Sequence, residues 1–258
     1  MMKGRFPFRL GTTSFILRDD ILPNVHYLKD RVDHVELLVF ETDASYPYPN
    51  RETVAELQAI GAEHETTYTV HLPIGIKLGS SDEKRRRKDV DAVLRAYEAM
   101  RALSPIAWDL HLERNDNRPH DGLAWQAACL KSLDELKAGG LDPAQTGIET
   151  LEFDFTETVP LLDATGFAIT LDIGHVWYRD YDEAKYLELY LPRAVSIHLH
   201  GFNQERDHKG LQHVPRPRLE RFLDAVAKHP QASKLPVSVE VFDPDSFNQS
   251  METLNEIA

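Results

Sequence analysis

The sequence predicts a single α/β domain over residues 1–258, a closed (β/α)8 barrel with its active site at the carboxyl ends of the strands. Three observations predict it. Eight short apolar runs of strand length alternate with helical patterns along the whole chain, and that alternation builds a parallel sheet. A chain of 258 residues suits one barrel of this kind. Most of the histidines and carboxylates with metal-binding character directly follow an apolar run, where a barrel gathers its functional side chains.

The elements follow in order. The first strand is Phe8–Phe15, and the second is Val35–Phe40, which carries Glu36 with Glu41 just beyond. Residues Arg51–Glu63 repeat Val54, Leu57 and Ile60 at helical spacing. The third strand is Tyr68–Leu72. The helix Ser81–Ala102 opens with the N-cap signal Ser-Ser-Asp and carries Val90, Val93, Leu94, Tyr97 and Met100 on one side. The fourth strand, Trp108–Leu112, leads into a helix over Asp121–Leu136. The fifth, Gly147–Leu151, and the sixth, Ala168–Ile173, are each followed by a short helix, Thr156–Ala164 and Asp182–Leu191. The seventh is Ala194–Leu199. Residues Asn203–Pro217 lack an apolar period and read as a long loop over the active face. A helix over Pro217–Lys228, an eighth strand Val237–Val241 and a closing helix Asp245–Glu256 complete the count. No Gly-, Ser- or Pro-rich linker divides the chain.

Composition narrows the function. A net charge of −13 argues against a nucleic-acid substrate, which needs a basic footprint. The basic run Lys84–Lys88 reads as a solvated helix face. The single cysteine, Cys129, excludes an internal disulfide and reads as a small buried hydrophobe. No secretory signal or membrane span is visible, so a cytoplasmic location with no membrane partner is expected. Phosphate-binding and dinucleotide glycine loops are missing, as is the serine-hydrolase elbow.

What remains is a set of strand-end ligands: His71, His111, Glu149, Asp172, His175, His198 and Glu240. Histidine with carboxylate suits zinc, manganese or iron. Glu149, Asp172, His198 and Glu240 fall on the fifth to eighth strands and would form a site with open positions for water or substrate. Carboxylates buried together need a cation, since otherwise they repel and protonate. His71 and His111 would hold a second ion bridged by Glu149, and His175 with His208 a third. The expected cofactor is therefore one to three divalent ions, zinc or manganese. Clustered ions suit phosphoester hydrolysis, whereas a single ion suits sugar isomerisation. Around them, Glu36 would bind substrate hydroxyls or orient a ligand histidine. Trp177, Tyr178 and Phe202 would stack on a flat ring. Arg206 and Lys209 would grip a phosphate. His26, His34, His64, His120, His200, His213 and His229 read as solvated or supporting histidines.

The ordered set His71, His111, Glu149, Asp172-x-x-His175, His198, His208 and Glu240 resembles the xylose isomerase-like TIM barrels. That superfamily holds sugar isomerases and epimerases, myo-inositol catabolic enzymes and apurinic-site nucleases of the endonuclease IV type. The resemblance spans the third to eighth strands. Its endonuclease branch implies these same residues as ligands to three zinc ions. That branch has an Asp two residues before the loop histidine. Here Arg206 stands in that place, and Asp207 would serve only through a one-residue slip of the loop. The segments GRFPFRLGTTSFI, ILPNVHYLKDRVDHVELLVFE and TYTVHLP are similar to the cobamide-remodelling phosphodiesterases of the same superfamily. This implies a metal-dependent hydrolase of the cobamide nucleotide-loop phosphodiester, a small-molecule substrate, with Glu149, Glu240 and His71 catalytic. The alternative is a sugar or sugar-phosphate isomerase or epimerase using one ion at Glu149, Asp172, His198 and Glu240. A third reading is an idle barrel that carries or senses such ligands.

Overall fold

The computed structural model describes residues 2–40, 48–114 and 122–258. Glu41 and His120 lie outside them. The elements in chain order are β1 (Arg9–Thr13), α1 (Ile21–Leu28), β2 (His34–Leu38), α2 (Arg51–His64), β3 (Thr67–His71), α3 (Glu83–Met100), β4 (Ala107–Leu110) and α4 (Gly122–Ala138). There follow β5 (Thr146–Glu149), α5 (Val159–Thr165), β6 (Ala168–Asp172), α6 (Ile173–Tyr178), α7 (Glu183–Tyr190), β7 (Ala194–Leu199), α8 (Arg216–Ala227), β8 (Pro236–Val239) and α9 (Pro244–Asn255). All eight strands pair in parallel and close as β1 through β8, with β8 back on β1. This is the (β/α)8 barrel that the alternating pattern predicts. Among the described residues, no helix is long and apolar enough to cross a membrane.

Strand alternation divides each strand's side chains between two environments. Val35, Leu37, Tyr68, Val70, Ile148 and Ile197 face the helix layer and form the apolar core with it. The barrel interior is different. It holds Gly11, His34, Glu36, Thr69, Asp109, Gly147, Thr170, Ser196 and Ser238, with every polar member fully buried. Barrel interiors are usually filled by branched aliphatics. Here polar groups bond across it: Thr170 Oγ1 donates to Asp109 Oδ1 at 2.6 Å, and His34 Nε2 lies 3.1 Å from Thr69 Oγ1. Glycine makes the space. A Cβ on Gly147 would sit 2.1 Å from Thr170 Oγ1 and 2.6 Å from its backbone nitrogen. Gly147→Ala is therefore expected to destabilise the fold by about 1–3 kcal/mol through overpacking, read as a lowered melting temperature.

Local signals set the helix starts. Asp82 accepts from the N–H groups of Lys84 and Arg85 and caps α3, one residue after the serine pair. Asn50 caps α2 by accepting from Thr53 N–H. The basic run is only partly a solvated face. Arg86 is buried, bonded to Ser132 Oγ and ion-paired with Glu83 and Glu135. Two helices lie outside the sequence reading, α1 and α6. The second is buried from Ile173 to Trp177, so it shows no amphipathic period.

Candidate metal centre

His71, His111, Glu149, Asp172, His198 and Glu240 stand at the carboxyl ends of their strands because the inward alternation carries through to that end, whereas His175 sits on α6 and His208 on the loop after β7. Asp109 and His111 share a face, as do Gly147 and Glu149, Thr170 and Asp172, Ser196 and His198, and Ser238 and Glu240. Asp172 and His198 are directly opposite in the β6–β7 register. Residues distant in sequence thus converge on one point.

Among the groups of ligand atoms that lie within 4.8 Å of one another are His71, His111 and Glu149; Glu149, Asp172, His198 and Glu240; and His175, His200 and His208, while Glu36 enters two further ones, with His71 and Glu240 and with Asp109 and His198. Glu149 belongs to the first two. Its Oε2 lies 2.9 Å from His111 Nε2, 3.3 Å from His71 Nε2 and 3.5 Å from His198 Nδ1, and its Oε1 is 3.8 Å from His175 Nδ1. Asp207 faces the third group, with Oδ2 3.6 Å from His175 Nε2 and 4.0 Å from His208 Nε2. The loop that carries it is fixed by paired hydrogen bonds between Gly201 and Lys209 at 2.7 and 2.8 Å. His208 adopts φ +48°, in the left-handed region, and donates its N–H to His200 Nδ1 at 3.1 Å.

The electrostatics suit cations. Burial alone would lower the pKa of His111, but the charge of Glu149 and the bonds to Glu113 and Glu149 overcome it and hold it at about 9. Burial likewise would lower the pKa of His175, but Asp172, Asp207 and Glu149 overcome it and raise it to about 9. Burial pushes Glu240 well above the usual carboxylate range, and the charges of Glu36, Glu149 and Asp172 reinforce that. Asp172 Oδ2, His198 Nδ1 and Glu240 Oε2 are buried with no hydrogen-bond partner. Unpartnered donor atoms of this hardness, aimed at one point, fit a divalent ion such as zinc or manganese. Glu149, Asp172, His198 and Glu240 would hold one ion, and His71 and His111 a second one shared with Glu149. His175, His208 and Asp207 would hold a third. Asp172 also caps α6, accepting from His175 N–H at 2.8 Å through Oδ1.

Several residues stand elsewhere than the sequence suggests. Glu36 is fully buried, one layer below the barrel mouth. It lies beneath a ligand, Oε2 3.6 Å from His198 Nε2, with Asp109 Oδ1 3.8 Å from the same nitrogen. Its burial there favours the orienting role over contact with a substrate hydroxyl. Glu36→Gln is expected to weaken metal affinity about 10–100-fold with the fold retained, read by metal titration and melting. Trp177 is 1% exposed, donates from Nε1 to Glu183 and packs edge-on against Phe222, so no ring face is free for a ligand. Tyr178 and Phe202 pack on each other, ring centroids 6.2 Å apart. Arg206 is exposed, with its N–H bonded to Asn203, and Lys209 is held in the Gly201 bridge. None of these lines the cavity over the histidines.

In sequence His200 reads only as a solvated or supporting histidine and Asp109 has no role, yet both lie beside the ligand candidates. His200 is fully buried, with Nε2 3.3 Å from Asp172 Oδ1. Its spacing of two from His198 puts both on one strand face, which is the signal that would find it. Asp109 is a charged residue inside the apolar run AWDL, a signal of the same kind.

A cavity of about 370 Å³ opens above the centre, lined by His71, His111, Glu149, His175, His208 and Glu240 on one side. Among the described residues, no Lys or Arg lines it.

Residues 30–257 match the family model described as xylose isomerase-like TIM barrel. No curated protein matches the sequence. Among solved structures, a D-tagatose 3-epimerase-like protein superposes with TM-score 0.79 at 15% identity, covering 97% of each chain. D-Psicose 3-epimerase from Clostridium cellulolyticum, solved with D-tagatose, gives TM-score 0.74 at 14% identity, over 97% of this chain and 98% of that one. Endonuclease IV from Thermus thermophilus gives 0.68 at 15% identity, over 96% and 99%. At such identities the likeness is one of fold, which the family match independently names. The chain belongs to the xylose isomerase-like TIM barrel family.

Proposed function

We propose that this protein is a metal-dependent phosphodiesterase that hydrolyses the nucleotide-loop phosphodiester of a cobamide, working with more than one divalent ion. The observation that carries this is the sharing of Glu149 between two adjoining ligand groups, with a third beside them. A single ion at Glu149, Asp172, His198 and Glu240 would leave His71, His111, Asp207 and His208 without a role. Bound divalent ions would polarise a phosphoryl oxygen, activate water and stabilise the departing oxygen.

The chain's own residues supply the rest. Glu149 ties the groups together. Glu240, beside Glu149 in the cavity lining, would hold the ion or position the water there. His71 Nδ1 lies 2.8 Å from the Leu72 carbonyl, which leaves Nε2 turned to Glu149. Water's oxygen would bond to phosphorus, the bond to the esterified oxygen would break, and the proton would pass to the leaving alkoxide. The products are the lower-ligand nucleoside and a cobinamide phosphate. The similarity of the N-terminal segments to cobamide-remodelling phosphodiesterases supports this substrate. The net charge of −13 and the lack of basic side chains in the cavity lining among the described residues disfavour DNA.

The four-residue group Glu149, Asp172, His198 and Glu240 favours a second reading, a one-ion sugar or sugar-phosphate epimerase. Incubating metal-analysed protein with coenzyme B12 tests the two. Release of the ribazole nucleoside, identified by chromatography and mass, is the expected result. Intact B12 together with epimerisation of a ketose would establish the second reading instead.

A further inference from the structure

The barrel mouth is chemically two-sided. Metal-binding side chains occupy the arc that runs from β3 through β4–β7 to β8. The remaining arc, from β8 across β1 and β2 to β3, is closed by Phe242, Phe15, Leu38, Phe40, Leu72 and Ile74. Phe15 and Phe40 meet edge to face, ring centroids 5.5 Å apart, and Phe242 lies 5.2 Å from the His208 ring. Ile74 and Phe242 are 53% and 38% exposed, although large apolar side chains at such exposure are few among the described residues. The strip Phe15, Leu38 and Phe40 also lines a second cavity of about 320 Å³ on its far side.

These side chains offer a sugar no hydrogen-bond partner, and burying its hydroxyls against them would cost about 1–3 kcal/mol for each bond lost. They offer a phosphate backbone no cation. They do suit a flat apolar ring, which stacks on aromatic faces while its edge stays in water.

We propose that this apolar arc seats an uncharged planar aromatic ring on the alcohol side of the scissile ester, beside the metal centre. The assignment rests on the phosphodiesterase reading and names the part of the substrate that gives it specificity. In a cobamide that part is the base of the lower-ligand nucleoside.

Binding tests it directly. Free 5,6-dimethylbenzimidazole and ribose 5-phosphate are each titrated into the zinc-loaded protein by calorimetry. The exposed pair is then changed together, Ile74→Ser with Phe242→Ser. The expected result is at least a tenfold loss of affinity for the base, with metal content and ribose 5-phosphate affinity unchanged. Phe242→Tyr keeps the ring face and is expected to bind the base as the wild type does. This variant decides the matter if the serine pair disturbs the metal. No base binding by the wild type, unaltered binding in the serine pair, or loss of binding in Phe242→Tyr would each overturn the proposal. Base binding without cleavage of coenzyme B12 would retire the phosphodiesterase reading and leave the aromatic seat standing. Cleavage with base binding unaltered in the serine pair would do the reverse.

Discussion

Replacing Glu149 by glutamine is expected to lower turnover of the phosphodiester by well over a hundredfold and to reduce bound metal by more than one equivalent per chain. The reason is geometric. Glu149 Oε2 is within 3.5 Å of ring nitrogens from three histidines on three strands, and Oε1 faces a fourth. Loss of a partner that merely orients a metal ligand costs about 10–100-fold, so loss of a shared ligand costs more. The fold should survive, because glutamine keeps the shape and removes a charge from a crowded set of buried carboxylates. Metal analysis, circular dichroism and product release check the three parts separately. A Glu149→Gln protein that folds, keeps its full metal content and turns over normally would refute the role given to this residue.

The second large effect is on stability, and it reverses with metal loading. Without metal, His111 and His175 titrate at about 9 rather than the ordinary 6.5, because Glu149 and Glu113 face one and Asp172, Asp207 and Glu149 the other. A folded-state pKa above the unfolded value gives stability that is complete below pH 6.5 and is lost as pH rises through about 9. Glu240 and Glu36, raised mainly by burial, act in the same direction. The melting temperature of metal-stripped protein should therefore fall between pH 6.5 and 9. Bound cations compete with those protons, so metal affinity should rise over the same interval and loading should release protons. Metal at about a hundred times its dissociation constant adds about 2.7 kcal/mol. In a domain of this size that raises the melting temperature by about 5 °C, most visibly at the alkaline end. Melting curves of stripped and loaded protein across pH, with calorimetry in buffers of different ionisation enthalpy, measure both effects. A stripped protein whose melting temperature rises over this interval would contradict the assigned charges.

Much of this centre is legible in the residues themselves. TYTVHLP, AWDLHLE and AVSIHLHGF each place a histidine directly after an apolar run. A parallel barrel turns that repetition into convergence. What escaped reading did so for identifiable reasons. Trp177 follows a ligand by two positions, and in a strand it would share that ligand's face. His175 instead sits on α6, where residues two apart point away from each other, so the indole faces the helix layer. α6 itself is buried on nearly every side and therefore carries no periodicity. Glu36 reads as a rim carboxylate from its place in the apolar run VELLVFE, which Glu41 closes. The strand ends at Leu38, and the side chain lies below His198 rather than above it. Asp207 depends on a loop whose course is fixed by the Gly201–Lys209 bridge and the left-handed His208, neither of which has a periodic signature.

The central claim is that Glu149 joins neighbouring cation sites. Counting the metal ions held by the purified protein, by elemental mass spectrometry after loading and desalting, tests it most directly. At least two equivalents per chain are predicted, falling by more than one in Glu149→Gln. A single equivalent in the wild type, retained at full occupancy when His71 and His111 are both changed to alanine, would contradict it.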